Sequence, residues 1–185
     1  AVDGQVLGIP QQQGGDYVFY WEDMFTEAGV EIPQTWAEFI AAAEALQAHF
    51  GAQDPDFMAI AMGVKDEWPD SPFMEFMPAA QNGDGQNWNT MATMDAPFAE
   101  GTNMNITDTK IYDLFSKGVF GKDPLGIGQD QAAALFAQRK AGMIVSGSWC
   151  LNNIETGAAD LTHLRTFYMP FRDDAAEPFR YTGQG

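Results

Sequence analysis

Residues 132–153, AAALFAQRKAGMIVSGSWCLNN, constrain the fold more than any other stretch, because the hydrophobic period changes once inside them. Residues 132–140 are rich in strong helix formers and place Leu135, Phe136 and Arg139 about one turn apart, which predicts a short helix. Gly142 is expected to break it. Met143-Ile144-Val145 is a compact apolar run with two β-branched residues, the pattern of a strand buried on both faces. Ser146-Gly147-Ser148-Trp149 then leaves the backbone open beside a large indole. A helix, strand and loop in this order put Trp149 at the carboxyl end of a sheet strand, where open α/β sheets hold their ligands.

The rest of the chain alternates in the same way. Tyr17-Val18-Phe19-Tyr20-Trp21 reads as a strand, and the acid-led segment 22–28 after it as a short helix capped by Gly29. Thr35 and Glu38 form a capping box, and Phe39, Ile40, Ala43, Leu46, Gln47 and Phe50 follow a helical period up to Gly51. Trp36, in the first turn of that helix, is expected to pack against the body. Residues 57–62 are a strand-length apolar run, and the polar loop behind it carries Trp68, a second candidate for a strand-end site. A helix over 73–80, a long surface excursion over 82–101, a helix capped at Asn105 or Thr107, and a last strand over 166–169 complete the reading. Asp3-Gly4 suggests a hairpin arm at the start. The expected fold is one α/β lobe over 1–185, with helices on a mostly parallel or mixed sheet and right-handed crossovers.

Composition removes several functions. Twenty-six acids against nine bases give a net charge of −17 without any basic run, which excludes phosphate-backbone binding and hence nucleic acid. A single cysteine, Cys150, excludes an internal disulfide, and neither His49 nor His163 sits in a motif that would activate it as a nucleophile. No apolar run reaches the roughly 20 residues of a bilayer span, and no secretory leader pattern is present. GxGxxG, Walker A, HExxH and GxSxG motifs are absent, as is any metal-ligand spacing of Cys and His, so no cofactor is expected. The chain starts without Met inside an apparent strand and ends on Gly183-Gln184-Gly185, which suggests a piece of a longer protein; a monomer is expected.

Three ordered segments carry a family resemblance. Residues 4–46, GQVLGIPQQQGGDYVFYWEDMFTEAGVEIPQTWAEFIAAAEAL, resemble the extracellular solute-binding proteins of bacterial ABC sugar importers. Residues 136–149 are similar to that family's Phe-x-x-Gly-Lys-Ala-Ala-Met-x-x-x-Gly-Ser-Trp segment, and residues 169–185 to its Phe-Pro-x-Pro … Gly-Gly ending. Trp21-Glu22, Leu7 and Arg139 depart from the family's usual Asn-Lys, Tyr and Gly. The resemblance implies a two-lobed protein that closes on a sugar, with this chain as mostly the second lobe and residues 1–16 and 181–185 near the hinge. It also implies a location outside the cell membrane or in the periplasm, a lipid anchor, and an ABC permease as partner.

The chemistry of the residues agrees. A sugar ring stacks its C–H face on an indole and offers hydroxyls to amides and carboxylates. Trp149 and Trp68 would stack; Gln12, Gln13, Asp16, Asp66 and Glu67 would supply polar partners, and the glycine-rich ending adds Gly183. Two other classes stay open at this point: a carbohydrate-active enzyme using two of the many carboxylates, and an interaction domain with buried tryptophans.

Overall fold

The computed structural model describes residues 14–70 and 90–178. The hairpin arm at Asp3-Gly4, the helix over 73–80, and the candidates Gln12, Gln13 and Gly183 lie outside the described residues.

Strand β1 (Asp16–Trp21) is built from aromatic and β-branched residues and runs straight into helix α1 (Glu22–Ala28), whose first turn carries two acids. Gly29 ends α1 at φ 68°, and Val30 N–H reaches back to Phe25 O at 2.8 Å. That 6→1 bond defines a Schellman stop. Helix α2 (Trp36–Gly51) starts where Thr35 Oγ1 accepts Glu38 N–H at 3.3 Å. The reciprocal bond of the box goes one residue further out, from Gln34 N–H to Glu38 Oε2 at 2.7 Å. Trp36, Phe39, Ala42, Ala43 and Leu46 form its buried face.

Strand β2 (Met58–Ala61) follows, and then a short 3₁₀ turn, Trp68–Asp70. Helix α3 (Asn103–Ser116) begins earlier than its expected caps. Thr102 is the N-cap, bonded to Asn105 N–H, while Thr107 lies buried one turn inside and donates to Asn103 O. Thr102, Asn105 and Thr107 all carry a side-chain oxygen able to cap, and the backbone placed Thr102 at the helix start.

Helix α4 (Gln129–Ala137) is shifted by one turn towards the N-terminus of the expected 132–140. Its stop lies at Arg139, not at Gly142. Arg139 takes φ 62°, with Lys140 N–H on Leu135 O and Arg139 N–H on Phe136 O, the same Schellman pattern as at Gly29. Gly142 therefore falls inside strand β3 (Ala141–Gly147), every residue of which is buried. Helix α5 (Cys150–Gly157) and strand β4 (Leu164–Phe167) complete the order, β4 starting two residues before its expected place.

The sheet order is β2-β3-β1-β4. β2 and β3 are parallel, whereas β1 runs antiparallel to both β3 and β4. The sheet is thus mixed, with antiparallel pairing in the majority. Register puts Val18, Tyr20 and Phe167 on one face, where Phe25 of α1 and Phe39 of α2 meet them. Trp21 and Ser146 face the other way, onto α4: Trp21 stacks on Phe136 at 5.1 Å and gives its indole N–H to Phe136 O at 3.0 Å. α5 lies against α4 through Asn153 and Asp130. Helices on both faces bury the sheet, and the strand ends are left as the open edges of the layer stack.

Candidate functional site

The strand directions gather the carboxyl ends of β2, β3 and β4 and the amino end of β1 at one end of the sheet. Two tryptophans stand there. Trp149 leaves the turn after β3 and is 46% exposed; Trp68 leaves the loop after β2 and is 45% exposed. Their rings lie 6.4 Å apart at 53°, an open aromatic corner made by two loops distant in sequence. Free indole faces of this size, set at an angle, offer apolar contact to a flat C–H surface while keeping their rims wet.

The seat of Trp149 explains the small residues before it. Its six-membered ring lies over Gly147: a Cβ on that glycine would come to 2.0 Å from two of the ring carbons. Gly147 is therefore required by the ring rather than by the backbone angle. Ser148 N–H donates to Gly15 O at 2.8 Å, fastening the turn to the chain entering β1. Asp16 is directly opposite Gly147 in the β1–β3 register, so its buried side chain leaves the sheet on the side where the Trp149 ring lies.

The Trp68 loop is held differently. Gly63 packs on the start of α4 so closely that a Cβ would lie 2.3 Å from Gln129 N. Val64 bridges Gly128, Lys65 N–H donates to Ile127 O at 3.1 Å, and Asp66 Oδ2 accepts Gln129 N–H at 2.6 Å. Asp66 thus caps α4 from a neighbouring loop. Gly128, the residue in the N-cap position, has no side chain for that task, and a Cβ there would meet Asp66 at 2.7 Å. Glu67 is exposed and takes the left-handed φ of 65°, which turns the chain towards Trp68.

Of the expected site residues, Trp149, Trp68, Asp16, Asp66 and Glu67 therefore come to the same end of the sheet. The capping role of Asp66 and the part played by Gln129 were missed by sequence reasoning. The available signal was the Gly128-Gln129 helix start with no capping side chain of its own. Cys150 is buried, and desolvation raises its thiol above the ordinary value despite hydrogen bonds with Ser146 and Gln129, so it stays a neutral packing group at pH 7. Among the described residues no cluster of His, Cys, Asp and Glu could hold a metal ion, and no helix is long and apolar enough to cross a membrane.

The family model for bacterial extracellular solute-binding proteins matches residues 1–162, and the chain belongs to that family. No curated protein sequence matches it. Among solved structures, the fold is similar to BlMnBP1, a binding protein of an ABC transporter from Bifidobacterium animalis subsp. lactis in complex with mannobiose. That match has a TM-score of 0.76 at 18% identity, over 100% of this chain and 44% of that one. RafE in complex with raffinose gives 0.74 at 20% identity, over 94% and 44%. A chitin oligosaccharide binding protein gives 0.75 at 23%, over 95% and 42%. The chain thus spans less than half the length of each of these structures.

Proposed function

We propose that this protein is the carbohydrate-binding component of an ABC importer, working outside the cell membrane and delivering its ligand to the membrane permease. The observation that carries the reading is the pair of half-exposed indoles, 6.4 Å apart, at the end of the sheet. Stacking of a pyranose on Trp149 and Trp68 would supply most of the contact area, with the exposed Glu67 accepting hydrogen bonds from hydroxyls and the buried Asp16 supporting the corner from beneath. Asp66 keeps one carboxylate oxygen for the same purpose, its other being engaged by α4. Gln12, Gln13 and Gly183 remain candidates on the sequence alone. RafE with raffinose and BlMnBP1 with mannobiose support the choice of ligand class. A second lobe would close over the sugar by a hinge, and no chemical step is required of the protein.

The test is a thermal-shift series on the full-length protein with raffinose, mannobiose, chito-oligosaccharides and, as controls, amino acids and short peptides. A ligand held at one hundred times its Kd adds about 2.7 kcal/mol to the native state, enough for a clear rise in Tm. A sugar response that disappears in Trp149→Ala upholds both class and site. A response to amino acids or peptides alone removes the carbohydrate reading.

A further inference from the structure

The two ring-bearing loops follow different strands, yet both are tied to one residue at the start of α4. Gln129 uses its main-chain N–H for Asp66 Oδ2, at 2.6 Å, two positions before Trp68. Its side-chain Nε2 donates to Ser146 Oγ at 3.1 Å and lies 4.0 Å from Cys150 Sγ, the residues that bracket the Trp149 turn. Gln129 is 7% exposed, and Gly63 lies so near that a Cβ on it would come to 2.3 Å from the Gln129 main-chain nitrogen. One buried glutamine therefore holds one loop by its backbone and the other by its side chain.

We propose that Gln129 is the positioning residue of the sugar site, setting the angle between Trp68 and Trp149 by clamping the loops that carry them. This inference rests on the carbohydrate reading above for its consequence, although not for its geometry. Two aromatic faces recognise a rigid ring only if their mutual angle persists before the ligand arrives; loops left free would have to be ordered on binding. A buried residue that bonds one loop by its main chain and the flanks of the other by its side chain resists their separation, because pulling either away leaves a desolvated donor or acceptor unmet. Alanine at this position keeps the backbone bond to Asp66 and releases the Trp149 turn. Alanine at Asp66 does the opposite.

The experiment reads the far-ultraviolet exciton couplet of the indole pair by circular dichroism, on the full-length protein without sugar. Trp68→Phe and Trp149→Phe identify the couplet by abolishing it. Gln129→Ala and Asp66→Ala are expected to reduce it roughly by half or more while the helix signal is retained. Asp66→Asn, which keeps a carbonyl acceptor for Gln129 N–H, and Gln129→Glu, which can accept from the Ser146 hydroxyl, are expected to restore most of it. In calorimetric titration with raffinose or mannobiose, Gln129→Ala should weaken binding about tenfold, the scale of one hydrogen bond. An unchanged couplet in Gln129→Ala overturns the proposal. So does a loss that merely tracks loss of helix, which makes Gln129 structural only, and so does a wild type with no couplet. A wild type that shows the predicted couplet changes but binds neither sugar upholds the clamp and discards the ligand class.

Discussion

Trp21 and Trp36 are closed into the body of the protein, whereas Trp68 and Trp149 stand half exposed at one end of the same sheet. Trp21 has every face occupied: Phe136 on one side, the Arg139 guanidinium 4.4 Å from its ring centroid, and Phe136 O on its N–H. Trp149 rests on a glycine and leaves its outer face to solvent. Identical side chains are thus used for stability in the interior and left available for contact at the edge. What separates them is the residue beneath, an aromatic with a carbonyl in one case and a bare Cα in the other.

The contrast breaks most visibly by truncation. Trp21→Ala should lose about 3–5 kcal/mol, as large buried aromatics do, and Trp149→Ala no more than about 1 kcal/mol, both read from urea unfolding. Equal losses would erase the distinction. Two of the crowded glycines sharpen it. In Gly63→Ala the new methyl meets the backbone of α4, which cannot swing aside, so a loss of about 1–3 kcal/mol is expected. In Gly147→Ala it meets only a half-exposed ring; stability should change by less than about 1 kcal/mol while any sugar-induced rise in Tm disappears.

Arg139 offers a finer cut. Its left-handed backbone is strained for a residue with a side chain, and the strain is offset by the stack on Trp21 and the 2.7 Å pair with Asp23. Arg139→Ala keeps the strain and removes the contacts; Arg139→Gly removes both. The glycine variant should therefore be about 1 kcal/mol more stable than the alanine variant by denaturant midpoint. The smallest expected effect concerns pH. Burial works to raise the Asp23 carboxyl, but the Arg139 hydrogen bond and charge and the Met24 N–H outweigh it, and the group titrates below its ordinary value. A lowered folded pKa gives stability that is complete above about pH 4 and is lost as pH falls through the folded value. Acid titration of Arg139→Ala should accordingly show a shallower loss below about pH 4 than wild type.

Local chemistry made much of this legible. Thr35 and Glu38 announced α2, the acids after Trp21 announced α1, and the run to Trp149 placed an indole at a strand end. Pairing direction was not legible. β1 inserts antiparallel between β3 and β4, and nothing in the hydrophobic content of Tyr17-Val18-Phe19 distinguishes that from a parallel strand. The Gly142 break failed because the Arg139-Lys140 turn had already ended the helix, freeing the glycine to enter β3. Asp66 looked like a solvated ligand group because its partner is a backbone N–H 63 residues away, which no local pattern records.

Among the described residues, both edge strands of the sheet are defended against foreign strands. On β2, the Gln47 amide takes Phe57 O and Ala59 N–H, and Val119 O takes Ile60 N–H. β4 is instead cut to four residues, with exposed Arg165 in the middle turning its guanidinium to Glu22. Short length and an edge charge discourage a second chain from adding itself to the sheet. Edges closed in this way leave a surface on which encounters between copies of the chain do not grow into fibres.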